Sequence, residues 1–219
     1  MTFSATLTRS IAAVAMLFLT ATACSTPSSK EEPMPPSSEF SQLTDAGVAQ
    51  IKRTRHARFD LRNHELTKAA VGLEGQDRGP IIGGADQPMI SLELLGPDQA
   101  ETVETSTIMF LSPSADKPYA GIVYWRSFET PQECLAELRD DITRWGLSAK
   151  GVDMWEENSQ GESDYQQVVS MGVGRSGLVI SVEAYLKRGK PLLKYDIYLE
   201  PEYYTPEVQQ TIRATGFSK

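Results

Sequence analysis

The sequence is poor in the side chains that carry most protein chemistry. Its 219 residues include 2 histidines, 2 cysteines and 3 tryptophans. Two cysteines exclude a small domain built on a disulfide framework. Positive charge is also scarce, with 21 Lys and Arg against 29 Asp and Glu and a net charge of −8. That sign excludes a protein that grips nucleic acid through a broad basic face. Long apolar runs are missing too, so the chain is not a multi-span membrane protein. What is present is a hydrophobic fraction of 40%, enough for one ordinary core.

The first segment stands apart. One basic residue, Arg9, precedes an apolar run from Ile11 that continues through small residues to Ala23. Those 13 residues would rise roughly 20 Å as a helix, short of the ~30 Å hydrocarbon core. A basic end, a short apolar centre and small residues before a break have the layout of an export signal. The break is Thr20-Ala21-Thr22-Ala23-Cys24. These residues resemble the lipobox of bacterial lipoproteins, with Ala21 where that class prefers Leu. The resemblance implies cleavage before Cys24, diacylglycerol on its sulfur and acylation of the new amine. It also implies a position on the extracytoplasmic face of the cell membrane. Two or more acyl chains hold a protein firmly to a bilayer, where one holds it weakly.

Residues 24–38 carry four prolines and almost nothing apolar. Such a segment cannot bury a core and reads as a disordered stalk, with a reach on the order of 40 Å. Without residues 1–23 only Arg9 is lost, which leaves −9 on the remainder. A domain so charged should stand clear of an anionic membrane rather than lie on it. The expected organisation is a signal peptide over 1–23, the lipidated stalk over 24–38 and a single domain over 39–219. In general pattern the chain resembles lipoproteins of Gram-positive bacteria.

Within the domain, an amphipathic helix is expected across Phe40–Arg55. Ala57, Phe59 and Leu61 alternate with charged residues, as in a strand. Gly72–Pro88, with five glycines and two prolines, reads as a loop. Six further strands are expected around Ile90–Leu94, Thr107–Leu111, Tyr119–Phe128, Tyr165–Val173, Leu178–Leu186 and Tyr195–Leu199. Gly174-Arg175-Ser176-Gly177 and Lys187–Pro191 read as hairpin turns. Thr130-Pro131-Gln132-Glu133 opens a helix that Gly146 closes. Thr205-Pro206 and Gly216 bracket another. The expected class is α+β, a mostly antiparallel sheet of about six strands with helices packed on one face.

Familiar reaction centres find little support. His56 and His64 lie eight residues apart, and zinc helices need i, i+4 spacing. Gly174-Arg175-Ser176-Gly177 lacks the spacing of a nucleophile elbow. Gly79-Pro80-Ile81-Ile82-Gly83-Gly84 lacks the Lys-Ser/Thr of a phosphate loop. Cys134 reads as a core residue or a reactive thiol, and acidic Glu133 and Glu137 oppose a thiolate. Asp153, Glu156, Glu157, Glu162 and Asp164 form an acidic surface segment or, as paired carboxylates, a hydrolytic centre. Lys52, Arg53, Arg55, Arg58, Arg62 and Lys68 form a basic stretch. It meets either an anionic wall polymer or the protein's own acidic surface. Tyr198 is out of phase with Tyr195 and Ile197, which makes it the outward tyrosine of its strand.

The resulting expectation is a lipid-anchored cell-envelope protein with a non-catalytic binding or interaction domain. It has no cofactor and no metal, with Arg53, Arg55, Arg58, Arg62 and Tyr198 as partner-binding candidates. Two alternatives stay open. One is a carrier of lipid or another hydrophobic ligand. The other is a wall-active hydrolase centred on Glu156 and Glu157.

Overall fold

The computed structural model describes residues 40–84, 86–160 and 163–218. The expected signal peptide, the expected stalk and Cys24 lie outside these residues. All described residues fall within one unit, Ser37–Lys219.

Helix α1 covers Asp45–Thr54, capped by the Thr44 side chain and ended by Arg55 in the left-handed region. The sequence places its start at Phe40. The structure moves it to the residue after Thr44, because the threonine hydroxyl accepts from Gly47 N and fixes the first turn there. Strand β1, His56–Asp60, follows at once. A short bridge β2, Ile82–Gly83, precedes β3, Ile90–Leu95, and β4, Ala100–Thr105. Then come β5, Thr107–Leu111, and β6, Gly121–Ser127. Helices α2, Pro131–Trp145, and α3, Ala149–Asn158, are followed by β7, Tyr165–Val173. Strands β8, Val179–Lys187, and β9, Lys190–Tyr198, lead through a 3-10 turn, Pro201–Tyr204, to α4, Pro206–Thr215.

The class is α+β, with a six-stranded antiparallel sheet in the order β2-β5-β6-β9-β8-β7. A second sheet, β1-β3-β4, has β1 parallel to β3. The chain crosses between the sheets at Ser106, the one residue separating β4 from β5. Thr105 Oγ1 donates to the Trp125 carbonyl at 2.8 Å, and Ser106 N donates to the same oxygen at 3.0 Å. One carbonyl thereby holds the corner at which a continuous strand changes sheets. Inner faces of both sheets share one core, and Phe59 meets Phe110 edge-on at 5.3 Å.

Helix α2 lies on the inner face of the large sheet. Cys134, Leu138, Asp141 and Trp145 form its buried stripe. Thr130 accepts from Glu133 N, Pro131 opens the helix, and Gly146 closes it at φ 68°. Helix α3 also covers β7 and buries Val152 and Trp155. Asp153, Glu156 and Glu157 read as part of an acidic surface segment from composition, but they lie on a helix that buries Val152 and Trp155. Helix α4 crosses part of the opposite face. There Ile212 packs with Met171, Val173 and Val179, beside Tyr198, Tyr203 and Tyr204. The β8–β9 hairpin turns on Arg188 and Gly189, both at positive φ, the geometry of a type I′ turn.

Gly151 shows how closely α3 is seated. A Cβ there would overlap the Val169 carbonyl oxygen. Replacing a helical glycine by alanine gains up to about 1 kcal/mol of propensity, whereas overpacking costs about 1–3 kcal/mol. The clash should win. Gly151→Ala is expected to lower the denaturation midpoint, and a rise would show that α3 does not pack on β7 at this distance.

Candidate functional site

A groove of about 610 Å³ lies where three loops meet. Residues 63–65 follow β1, residues 113 and 117–120 join β5 to β6, and residues 199–204 follow β9. The loops are tied by their backbones. Tyr119 N donates to Leu66 O at 3.0 Å, and Leu199 N donates to Ala120 O at 2.8 Å. Lys68 secures the 113–117 wall from behind. Its ammonium donates to the carbonyls of Gln76, at 2.6 Å, and Ser114, with Asp77 O at 3.4 Å. Lys68 is only 5% exposed, so three backbone oxygens replace its water shell.

The groove combines an apolar wall with acidic groups. Pro113, Pro118, Pro201 and Leu199 contribute hydrocarbon, and the rings of His64 and Tyr204 stack at 3.6 Å and 22°. The Tyr204 hydroxyl donates to Tyr198 O at 2.5 Å, and burial pushes its phenol up to about 12. His64 holds a left-handed backbone at φ 56°. Burial lowers its imidazole pKa against the pull of the Asp98 carboxylate, so the ring is uncharged near pH 7. Glu65, Glu200 and Glu202 are exposed and have no basic partner among the described residues. Among the described residues Lys117 is the only Lys or Arg lining the groove. No Ser, Thr or Cys side chain lines it among the described residues.

The residues of the basic stretch differ in burial and pairing. Arg58 pairs with Glu93 at 3.1 Å and lies over the Phe40 ring. Arg62 donates from Nε to Asp60 at 2.8 Å, and its guanidinium holds the Asp60 carboxyl below the usual carboxylate range. Arg55 is the half-buried cap of α1, Arg53 is exposed on that helix, and Lys68 is buried. Tyr198 points away from the main core but is half-buried under Tyr203, with ring centroids 4.2 Å apart. Burial raises its phenol to about 12. Glu156 pairs with Arg139 at 2.6 Å, and Asp153 and Glu157 are exposed on α3. The Cys134 thiol is buried and pushed up to about 12, first by burial and then by Glu137 and Asp141. Among the described residues no group of three His, Cys, Asp or Glu is placed to hold a metal. No helix there is long and apolar enough to cross a membrane.

Sequence reasoning missed a buried ionic network. Asp141 is fully buried; it accepts from the Tyr195 hydroxyl at 2.7 Å and pairs with Arg144 at 3.1 Å. Arg144 also meets Glu137 at 2.8 Å, and Glu137 pairs in turn with Arg126. Nearby, Arg175 clasps Glu101 of the small sheet through both oxygens. Burial works against that carboxylate, but Arg175 and Gln99 hold its pKa below the ordinary value. The sequence does carry one sign of the network. Asp141 occupies the buried stripe of Cys134, Leu138 and Trp145, where periodicity reserves an apolar residue.

Comparison with protein-family models, curated proteins and solved structures finds no match.

Burial raises the Asp141 carboxyl from 3.8 to about 7, against the pull of Tyr195 and Arg144. Between those values the folded chain keeps a proton that the unfolded chain has lost. The stabilisation is therefore complete at low pH and is lost as pH rises through about 7. Asp141→Asn is expected to flatten urea stability between pH 4 and 8 by on the order of 4 kcal/mol. An unchanged slope would place the titration elsewhere. Lys68→Met keeps the apolar stem but removes the charged donor from these carbonyls, at a cost of about 3 kcal/mol. Hydrogen exchange should then accelerate in the backbone at 73–79 and 114–118 before the rest of the fold.

Proposed function

We propose that this chain is a lipid-anchored protein of the bacterial cell envelope. Lipid on Cys24 holds it at the extracytoplasmic face of the membrane, and its α+β domain binds a ligand or partner without catalysing a reaction. The observation that carries the binding part is the groove between residues 63–65, 117–120 and 199–204. It offers hydrocarbon, ring faces and unpaired carboxylates on loops already tied together. Those are the components of recognition. Acyl or phosphoryl transfer would want a nucleophile beside a base. The one imidazole in the groove instead lies flat on Tyr204, with Nε2 buried and unpartnered.

The alternatives find less support. A carrier needs room inside the core, and the space between the two sheets is occupied by Phe59, Phe110, Leu92 and Ile108. A hydrolase built on Glu156 and Glu157 needs facing carboxylates in a cleft. Both stand on one helix, and Glu156 is engaged by Arg139. An anionic wall polymer or a second envelope protein would be the partner of Arg53, Arg55, Arg58, Arg62 and Tyr198. The pairing of Arg58 and Arg62 with their own carboxylates favours the groove over that surface.

The anchor is tested in a bacterial expression host that lipidates exported proteins. The wild-type chain should incorporate a fatty-acid analogue and sediment with membranes, whereas Cys24→Ser should do neither. Equal fractionation of the two proteins, or an unlabelled wild type, would overturn the anchoring.

A further inference from the structure

We propose that the groove between residues 63–65, 117–120 and 199–204 takes a small organic cation, an ammonium group carried on an apolar body, with Glu65, Glu200 and Glu202 as its counter-charge. This inference rests on the binding reading above and names the ligand class.

Elsewhere in the domain Glu104, Glu157 and Glu207 are likewise exposed and form no salt bridge among the described residues; what the groove adds is three such carboxylates around one cavity. At the groove, three carboxylates come from two loops of different strands, and no Lys or Arg pairs with them among the described residues. Lys117 offsets only one of them. His64 adds no positive charge near neutral pH, because burial holds its ring neutral. The cleft therefore presents a net negative potential, which apolar walls concentrate rather than screen.

The walls decide what kind of cation fits. A metal ion wants several oxygens converging at ~2.0–2.6 Å, and no such cluster forms among the described residues. Carboxylates spread around hydrocarbon suit a ligand with a charged head and an apolar body. Leu199 and the prolines at 113, 118 and 201 supply the surface for that body. A volume of about 610 Å³ lies in the range of small-molecule sites. The backbone ties from Tyr119 to Leu66 and from Leu199 to Ala120 leave little loop ordering to be done on binding.

The test is a titration of the full chain in neutral detergent with phenethylammonium, followed by NMR at His64 and Tyr204. The uncharged isostere 2-phenylethanol is the parallel probe. Saturable shifts are expected for the amine, with binding about tenfold weaker for the alcohol. The triple substitution Glu65→Gln, Glu200→Gln, Glu202→Gln should weaken the amine by at least about tenfold. Asp153→Asn with Glu157→Gln, on exposed α3, should leave it unchanged. All these positions are exposed, and each single Glu→Gln variant serves as a check if the triple variant melts early. Equal affinity for amine and alcohol would overturn the cation and keep the groove as a binding site. An absence of saturable shifts, or full affinity in the triple variant, would overturn the site itself. None of these readings depends on lipid, so failure of labelling at Cys24 is a separate result.

Discussion

Asp141 sits where α2 meets the large sheet, with no exposure to water and with Tyr195 and Arg144 as its partners. Moving a carboxylate from water into such a place costs several kcal/mol unless it is neutralised or fully hydrogen-bonded. The surroundings are arranged around that demand. Tyr195 comes from β9 and stacks face to face on Tyr124 of β6 at 4.5 Å. Arg144 lies one turn along α2 and is shared with Glu137, which is shared again with Arg126 of β6. The helix is thus fixed in rotation and height on the sheet by a few directional contacts, in addition to the non-directional burial of Leu138 and Trp145.

The same end of α2 links the two sheets. Arg175, in the β7–β8 turn, donates its backbone N–H to Arg144 O and its guanidinium to Glu101 of the small sheet. Asp98 N reaches Ser176 O at 3.0 Å in the same region. With the Ser106 corner at the other end, the small sheet is held at two places. The groove lies near the first of them, since Asp98 also acts on His64, which forms part of the groove wall. A rigid junction behind loop walls tied by backbone hydrogen bonds positions a recognition surface well.

Much of this architecture is legible in the sequence. The Thr-Pro starts at 130 and 205 and the glycine stops at 146 and 216 mark α2 and α4 because capping is local chemistry. Strands β3, β8 and β9 show in their alternation, and β5 shows as a continuous apolar run. Strand β4 is not legible: its inward residues are Glu101, Val103 and Thr105, and the first is inward only because Arg175 arrives from 74 positions away. Helix α3 is hidden by its acidic outer face, and the corner at Ser106 by the continuous strand pattern across it. The groove is invisible for a related reason. Glu65, Lys117 and Glu202 belong to segments far apart in the chain, and nothing local says that they meet. In the basic stretch the sequence shows neighbouring cations but not their partners: Arg58 pairs with Glu93 and Arg62 with Asp60.

Lys68 grips main-chain oxygens of the residues at 76, 77 and 114, and its ammonium also lies over the Tyr119 ring at 5.8 Å. Every residue type supplies that oxygen. The identities at 76, 77 and 114 are therefore free to drift over generations without loosening the wall of the groove, while the lysine itself has no equivalent substitute. Such a tether lets the outer rim of a recognition surface diversify while its frame stays fixed.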